Sequence, residues 1–123
     1  MDADDSLLVE AMLQTEVFCN QVEAAANRSL PLSELEELRL KISQCRGALR
    51  ELQSKYDDDE LTVNNTVVCA DFRNLVTSLL WVNFFARHVL DRRLYRKLVQ
   101  IESTFTYLLI TRKRTPQNRD DKF

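Results

Sequence analysis

His88 is the single histidine of this 123-residue chain. General acid–base catalysis by histidine needs a nucleophile or an orienting carboxylate close in space. Asp91, three residues on, can reach it on a helix, but nothing else completes a constellation. His88 therefore reads as a surface or helix-end residue. Three cysteines, Cys19, Cys45 and Cys69, lie far apart in the chain. Metal sites show close pairs such as C-x-x-C, and none exists here, so no metal ligand and no cofactor is expected. Buried thiols acting as small apolar groups fit better. Asp57, Asp58, Asp59 and Glu60 lack the alternating oxygen spacing and the glycine of a calcium loop and read as a solvated turn. Arg112, Lys113 and Arg114 form a run too short to specify nucleic acid or nuclear import. No catalytic residue is assigned, and the expectation is a protein that is not an enzyme.

The elements that carry these residues are helices. Leu35, Leu38, Ile42, Cys45, Leu49, Leu52 and Tyr56 are spaced 3-4-3-4-3-4, an unbroken heptad seam that must bury against another helix. Ser33 with Glu36 three residues later has capping-box spacing and predicts the start of that helix. A first helix is expected from about Ser6 to about Ala26, with Leu8, Met12, Thr15, Cys19, Val22 and Ala26 on its stripe and Pro31 enforcing the break. A third is expected over roughly Leu61 to Val89, with Val68, Phe72, Leu75, Leu79, Val82, Ala86 and Val89 repeating the pattern. Leu94, Leu98, Ile101, Phe105 and Leu108 mark a fourth, from about Arg92 to Lys113. Between them the phase slips. A tight turn near Asp91, an acceptable N-cap, is favoured over one long bent helix. One glycine and two prolines leave little material for hairpins. The expected fold is all-α, an antiparallel bundle of four helices (or three with a long bent third) with coiled-coil-like packing. Residues 1–114 form the single domain, and 115–123, with Pro116, form a flexible polar tail.

One stretch exceeds what a bundle needs. At about 100° per residue, Leu80, Trp81, Phe84 and Phe85 fall away from the main stripe of the third helix. A helix in a small bundle normally buries one face. The second face must lie under this chain or under a partner, and Trp and other aromatic residues dominate the energetics of interfaces.

Charge gives a second lead. Residues 1–61 carry 14 acidic and 6 basic groups, a formal charge of −8, and residues 62–123 carry 5 and 11, a charge of +6. In a four-helix bundle Arg28, Arg87, His88, Arg92, Arg93, Arg96 and Lys97 gather at one pole, beside Asp91 and Glu34 to Glu37. Such an end can meet phosphate, an anionic membrane or an acidic protein segment, or can be a solvated end whose cations complement helix C-termini. No apolar run reaches ~18 residues, so no transmembrane span is expected. The acidic start and the odd cysteine count point to an intracellular protein, cytoplasmic or nuclear. The Asn27 and Asn64 glycosylation matches are then chance. The functional expectation is a protein–protein interaction module, an adaptor or complex subunit, pairing with itself or another protein as a homodimer or heterodimer. Nucleic-acid or anionic-surface binding through Arg87, Arg92, Arg93, Arg96 and Lys97 is the alternative.

Overall fold

The computed structural model describes the backbone at 3–57 and 66–120 and the side chains of 6–56 and 70–110. Four helices make up the fold: α1 Ala3–Ser29, α2 Leu32–Asp57, α3 Thr66–Phe85 and α4 Arg92–Asp120. There is no strand among the described residues. α1 packs on α2 and α4, α3 packs on the same two helices, and the diagonal pairs do not meet. The helices therefore stand in a square ring around one core, each against two neighbours.

The predicted stripes are the core. Leu38, Cys45 and Leu52 of α2 are fully buried, Leu35, Ile42 and Leu49 nearly so, and Tyr56 half-buried. Thus the α2 seam is satisfied inside the bundle, against α1 and α3, and does not itself call for an outside coiled-coil partner. Phe72, Leu75, Leu79, Val82 and Ala86 fill the α3 side, and Phe72 meets Phe105 of α4 with ring centroids 6.1 Å apart. On α1, Thr15 is buried at its stripe position because its hydroxyl donates to the Ala11 carbonyl at 2.7 Å. The α1 stripe is wider than expected. Ala11 and Phe18, seven positions apart, are also buried. They flank the seam and compensate for the small residues on it.

Polar contacts fix the antiparallel register. Between α1 and α2, Arg39 donates to Asn27 at 2.7 Å and Arg46 to Asn20 at 2.8 Å, with Arg46 also pairing with Glu23 at 3.0 Å. Between α2 and α3, Lys55 meets Asp71 at 2.6 Å in a largely buried ion pair. Lys55 and Asp71 each immediately precede a seam residue, Tyr56 and Phe72. Fourteen positions back along α2 and fourteen on along α3 stand Lys41 and Phe85, again each one before a seam residue. They too meet, with the Lys41 ammonium 5.4 Å from the Phe85 ring centroid.

The boundaries correct three expectations. α2 begins at Leu32, where the Pro31 carbonyl accepts from Leu35 N–H at 2.9 Å. Ser33 thus lies inside the first turn and is not the N-cap. Proline's fixed φ lets the chain enter the helix earlier than the capping-box spacing implies. α3 ends at Phe85 rather than Val89, and Ala86 to Leu90 form the turn, closed by Leu90 N–H to Ala86 C=O at 3.1 Å. α4 continues to Asp120, past the expected end near Lys113. Residues 115–120, expected in the polar tail, are thus helical, and the helix passes through Pro116; Arg112, Lys113, Arg114 and Gln117 are strong helix formers and no glycine intervenes. The favoured turn at Asp91 is present: its carboxylate accepts from Leu94 N–H at 2.8 Å, an N-cap three residues from its partner. Residues 61–113 are therefore not one long helix. The side chains of Val68, Cys69, Asp57 to Glu60 and Arg112 to Arg114 lie outside the described residues.

Candidate functional site: the outer face of α3

The core stripe of α3 leaves Leu80, Trp81 and Phe84 on the opposite side of the helix. They are 49%, 49% and 52% exposed, among the largest apolar groups left open to water in the bundle. Phe85 behaves differently. It is half-buried and packs against the core, so it forms the floor of the face rather than its rim. Its position just before Ala86 puts it on the α2 flank, which the helical-angle reading placed with Trp81 on the far side.

The three rings form one cluster. Phe84 stands edge-on to Phe85 at 5.2 Å and to Trp81 at 6.4 Å, and Trp81 lies tilted over Phe85 at 6.1 Å. Edge-to-face ring pairs are favourable by about 0.5–1.5 kcal/mol beyond their burial, which favours this arrangement of the three rings. Cations rest on it. The Lys41 ammonium of α2 sits 5.1 Å from the Trp81 centroid, and the Arg87 guanidinium lies 4.5 Å from that of Phe84. Burying a Leu, Phe or Trp fully is worth roughly 1.5–3 kcal/mol, so each half-exposed side chain withholds about 1 kcal/mol that a partner could recover.

Beyond Phe84 the face opens into a shallow groove of about 230 Å³ bordered by Glu34, Glu37, Phe84, Phe85, Arg87 and His88. His88 is exposed there at the bundle end, as a helix-end residue.

The basic pole assembles as the topology requires, but its members differ in role. Arg87 donates to the Phe84 carbonyl at 2.6 Å and so complements the C-terminus of α3, and Arg28 lies in the last turn of α1. Lys97 donates to Gln21 of α1 at 3.1 Å. Arg92, Arg93 and Arg96 are different. They are exposed at the N-terminal end of α4, where the helix dipole is already positive, and no acidic residue stands in that turn. None of the three has a carboxylate partner among the described residues.

The two described thiols are core groups. Cys19 and Cys45 are fully buried, facing each other between α1 and α2. Their mutual hydrogen bond and then burial push the Cys45 pKa well above the ordinary thiol range. The same bond lowers Cys19, against the opposing effect of burial. Neither is open to a substrate.

Glu102 on α4 carries the other perturbed group. Its Oε1 is buried with no hydrogen-bond partner among the described residues, and burial raises its pKa. The raised pKa means that ionised Glu102 disfavours the fold. That penalty is absent below the unfolded value near 4.5 and sets in as pH rises from there through the folded pKa. Glu102→Gln should therefore stabilise the protein modestly at neutral pH. The gain should vanish in acid, which thermal melts across pH would show. A gain unchanged by pH would mean that charge burial is not its cause.

Compared with known protein families, characterised proteins and solved structures, the chain matches none. No helix is long and apolar enough to cross a membrane, and no group of three His, Cys, Asp or Glu could hold a metal, among the described residues. What stands is an all-α helical bundle.

Proposed function

We propose that this protein is a non-enzymatic interaction module, an adaptor or a subunit of a larger assembly, that binds through helix packing on α3. The observation that carries this is the half exposure of Leu80, Trp81 and Phe84 on one face of a bundle whose core is complete without them. Exposed aromatic groups of this size are an association liability unless something covers them. The paired buried thiols Cys19 and Cys45 fit a reducing compartment, cytosol or nucleus.

A photo-reactive benzophenone side chain at position 84, introduced in cells, tests the reading. It should give covalent adducts with a polypeptide, and the same group at exposed Arg50 of α2 should not. Equal adducts at both positions, or none, would remove the reading. A second reading rests on Arg92, Arg93 and Arg96, which stand at the N-terminal end of α4 beside the Asp91 cap and have no ion-pair partner among the described residues. There the ligand is phosphate-rich, and its signature is a steep loss of binding with salt.

A further inference from the structure

We infer that the occupant of the α3 face is an acidic amphipathic helix of another protein. This rests on the reading of that face as the contact surface and adds the chemistry of the partner.

From Phe72 to Leu90 the chain holds no acidic residue. Its charged residues are Arg73 and Arg87, both exposed. Arg73 lies on α3 seven residues before Leu80, Arg87 lies seven residues after it in the turn that follows α3, and Lys41 joins them from α2 over the rings. The nearest carboxylates along the chain are engaged elsewhere: Asp71 with Lys55, and Asp91 with the first turn of α4. Neither Arg73, Arg87 nor Lys41 has a carboxylate partner among the described residues. The apolar patch is thus bracketed by cations without a carboxylate partner among the described residues, at ends roughly 20 Å apart, since Arg73 to Phe85 spans ~18 Å at 1.5 Å per residue and Arg87 stands just beyond. A helix of about four turns spans that distance, with apolar groups in the middle and carboxylates where the three cations wait.

A second copy of this chain fits badly. Two α3 helices packed antiparallel about Leu80 would set Arg73 of one copy beside Arg87 of the other, twice. A parallel pairing would set each arginine against its own counterpart. Like charges juxtaposed across an interface cost affinity and reject that partner. An anionic bilayer fits badly as well, because Glu34 and Glu37 share the groove with Phe84 and Arg87. A flat negative surface reaching Phe84 would press on those carboxylates. A helix chooses its side chain at each position and can place neutral or basic groups there.

The test is a displayed library of 18-residue helices with a fixed apolar stripe and flanks randomised among Glu, Gln and Lys, selected on the full chain. Enriched helices should carry Glu at both flanks. A synthetic copy of the best should bind Lys41→Glu/Arg73→Glu/Arg87→Glu about tenfold or more weakly than the parent, a loss of ~1.4 kcal/mol or more. The altered positions lie on the surface, and a melt of the triple variant confirms that it folds. Winners with neutral or basic flanks that still need Trp81 and Phe84 would overturn the acidic partner and leave the face itself standing. No enrichment over Trp81→Ala/Phe84→Ala would overturn both. Concentration-dependent dimerisation through Trp81 and Phe84, or their binding to phosphatidylserine vesicles in place of any helix, would hand the face to a second copy or to a bilayer and overturn the proposal.

Discussion

Leu79→Asp should abolish the cooperative fold or lower its stability by about 4 kcal/mol or more, the range reserved for defects such as an unpaired buried charge. Leu79 is fully buried in the middle of α3. From Leu75 to Val82 its own helix offers no charged residue to pair with the new carboxylate. A buried charge without a partner costs far more than the lost methyl groups, and a small domain has only about 5–15 kcal/mol in all. Leu79→Ala is the control, expected to cost roughly 2–5 kcal/mol through transfer and cavity terms. The same change at Leu49 should be milder. That position borders a shallow surface pocket with Arg46 and Arg50, whose guanidiniums can reach an introduced carboxylate. Denaturant titration followed by circular dichroism ranks the three. If Leu79→Asp is no worse than Leu49→Asp, pairing with Arg46 or Arg50 does not govern the outcome.

Most of the fold is legible in the apolar spacing, because a square bundle asks each helix for one stripe and the chain writes four. The stripes from Leu8 to Ala26, Leu35 to Tyr56, Phe72 to Ala86 and Leu94 to Leu108 supply the core almost without exception. Asp91 was readable because the slip between Ala86 and Leu94 needs a turn and an N-cap stands inside it. Three things were less legible, each for a physical reason. Ser33 and Glu36 carry the spacing of a capping box, yet Pro31 can start the helix sooner, and local signals one turn apart compete. Phe18 and Ala11 flank the α1 seam, and flank positions are core or surface depending on how closely the neighbouring helix approaches. Phe85 precedes a seam residue reached by a step of four, a position that faces the next helix, whereas Trp81 precedes one reached by a step of three and faces outward. Lys55 and Asp71 obey the same rule, so the α2–α3 ion pair and the Lys41 cation on the aromatic cluster could both have been found from register alone.

Register also separates two meanings of a heptad seam. The α2 repeat is as regular as that of a coiled coil, and regularity alone suggested an outside helix. Inside a four-helix bundle the same repeat is met by two neighbours in the same chain, so it reports packing geometry and not stoichiometry. The signal for a partner is the apolar surplus, the groups that remain open after every seam is closed. α4 leaves Tyr95, Val99, Tyr107 and Ile110 open as well, but α3 is distinguished by a cluster: the face opposite its stripe holds Leu80 beside the packed rings of Trp81 and Phe84, backed by Phe85. Other exposed apolar groups, such as Leu13 of α1 and Leu40 of α2, are not part of this ring cluster. Scattered exposed leucines are ordinary on protein surfaces and need no partner.

Trp81→Ala with Phe84→Ala should strip the protein of its partner, with affinity falling about thirtyfold or more, and should leave the bundle folded. A Trp anchor truncated at an interface commonly costs ≥2 kcal/mol, and 1.4 kcal/mol is a factor of ten. The choice of Phe84 over Phe85 decides what the experiment means. Phe85 is half-buried against the core, so its loss would lower stability and binding together. Trp81 and Phe84 are about half exposed and touch mainly each other, Phe85 and two cations. Their buried halves are worth roughly 1 kcal/mol each, so their removal should cost about 2 kcal/mol, a shift on the order of ten degrees that leaves the bundle folded. Trp81 is the sole tryptophan, so in the parent its emission should respond to acrylamide when the protein is alone and be shielded when the partner is bound. Light scattering beside a thermal melt separates the outcomes. Lost association in a bundle that still melts cooperatively, within about ten degrees of the parent, supports the interface. A large drop in melting temperature with association intact would return the pair to the core, and a double variant that melts and associates like the parent would show that this face does neither.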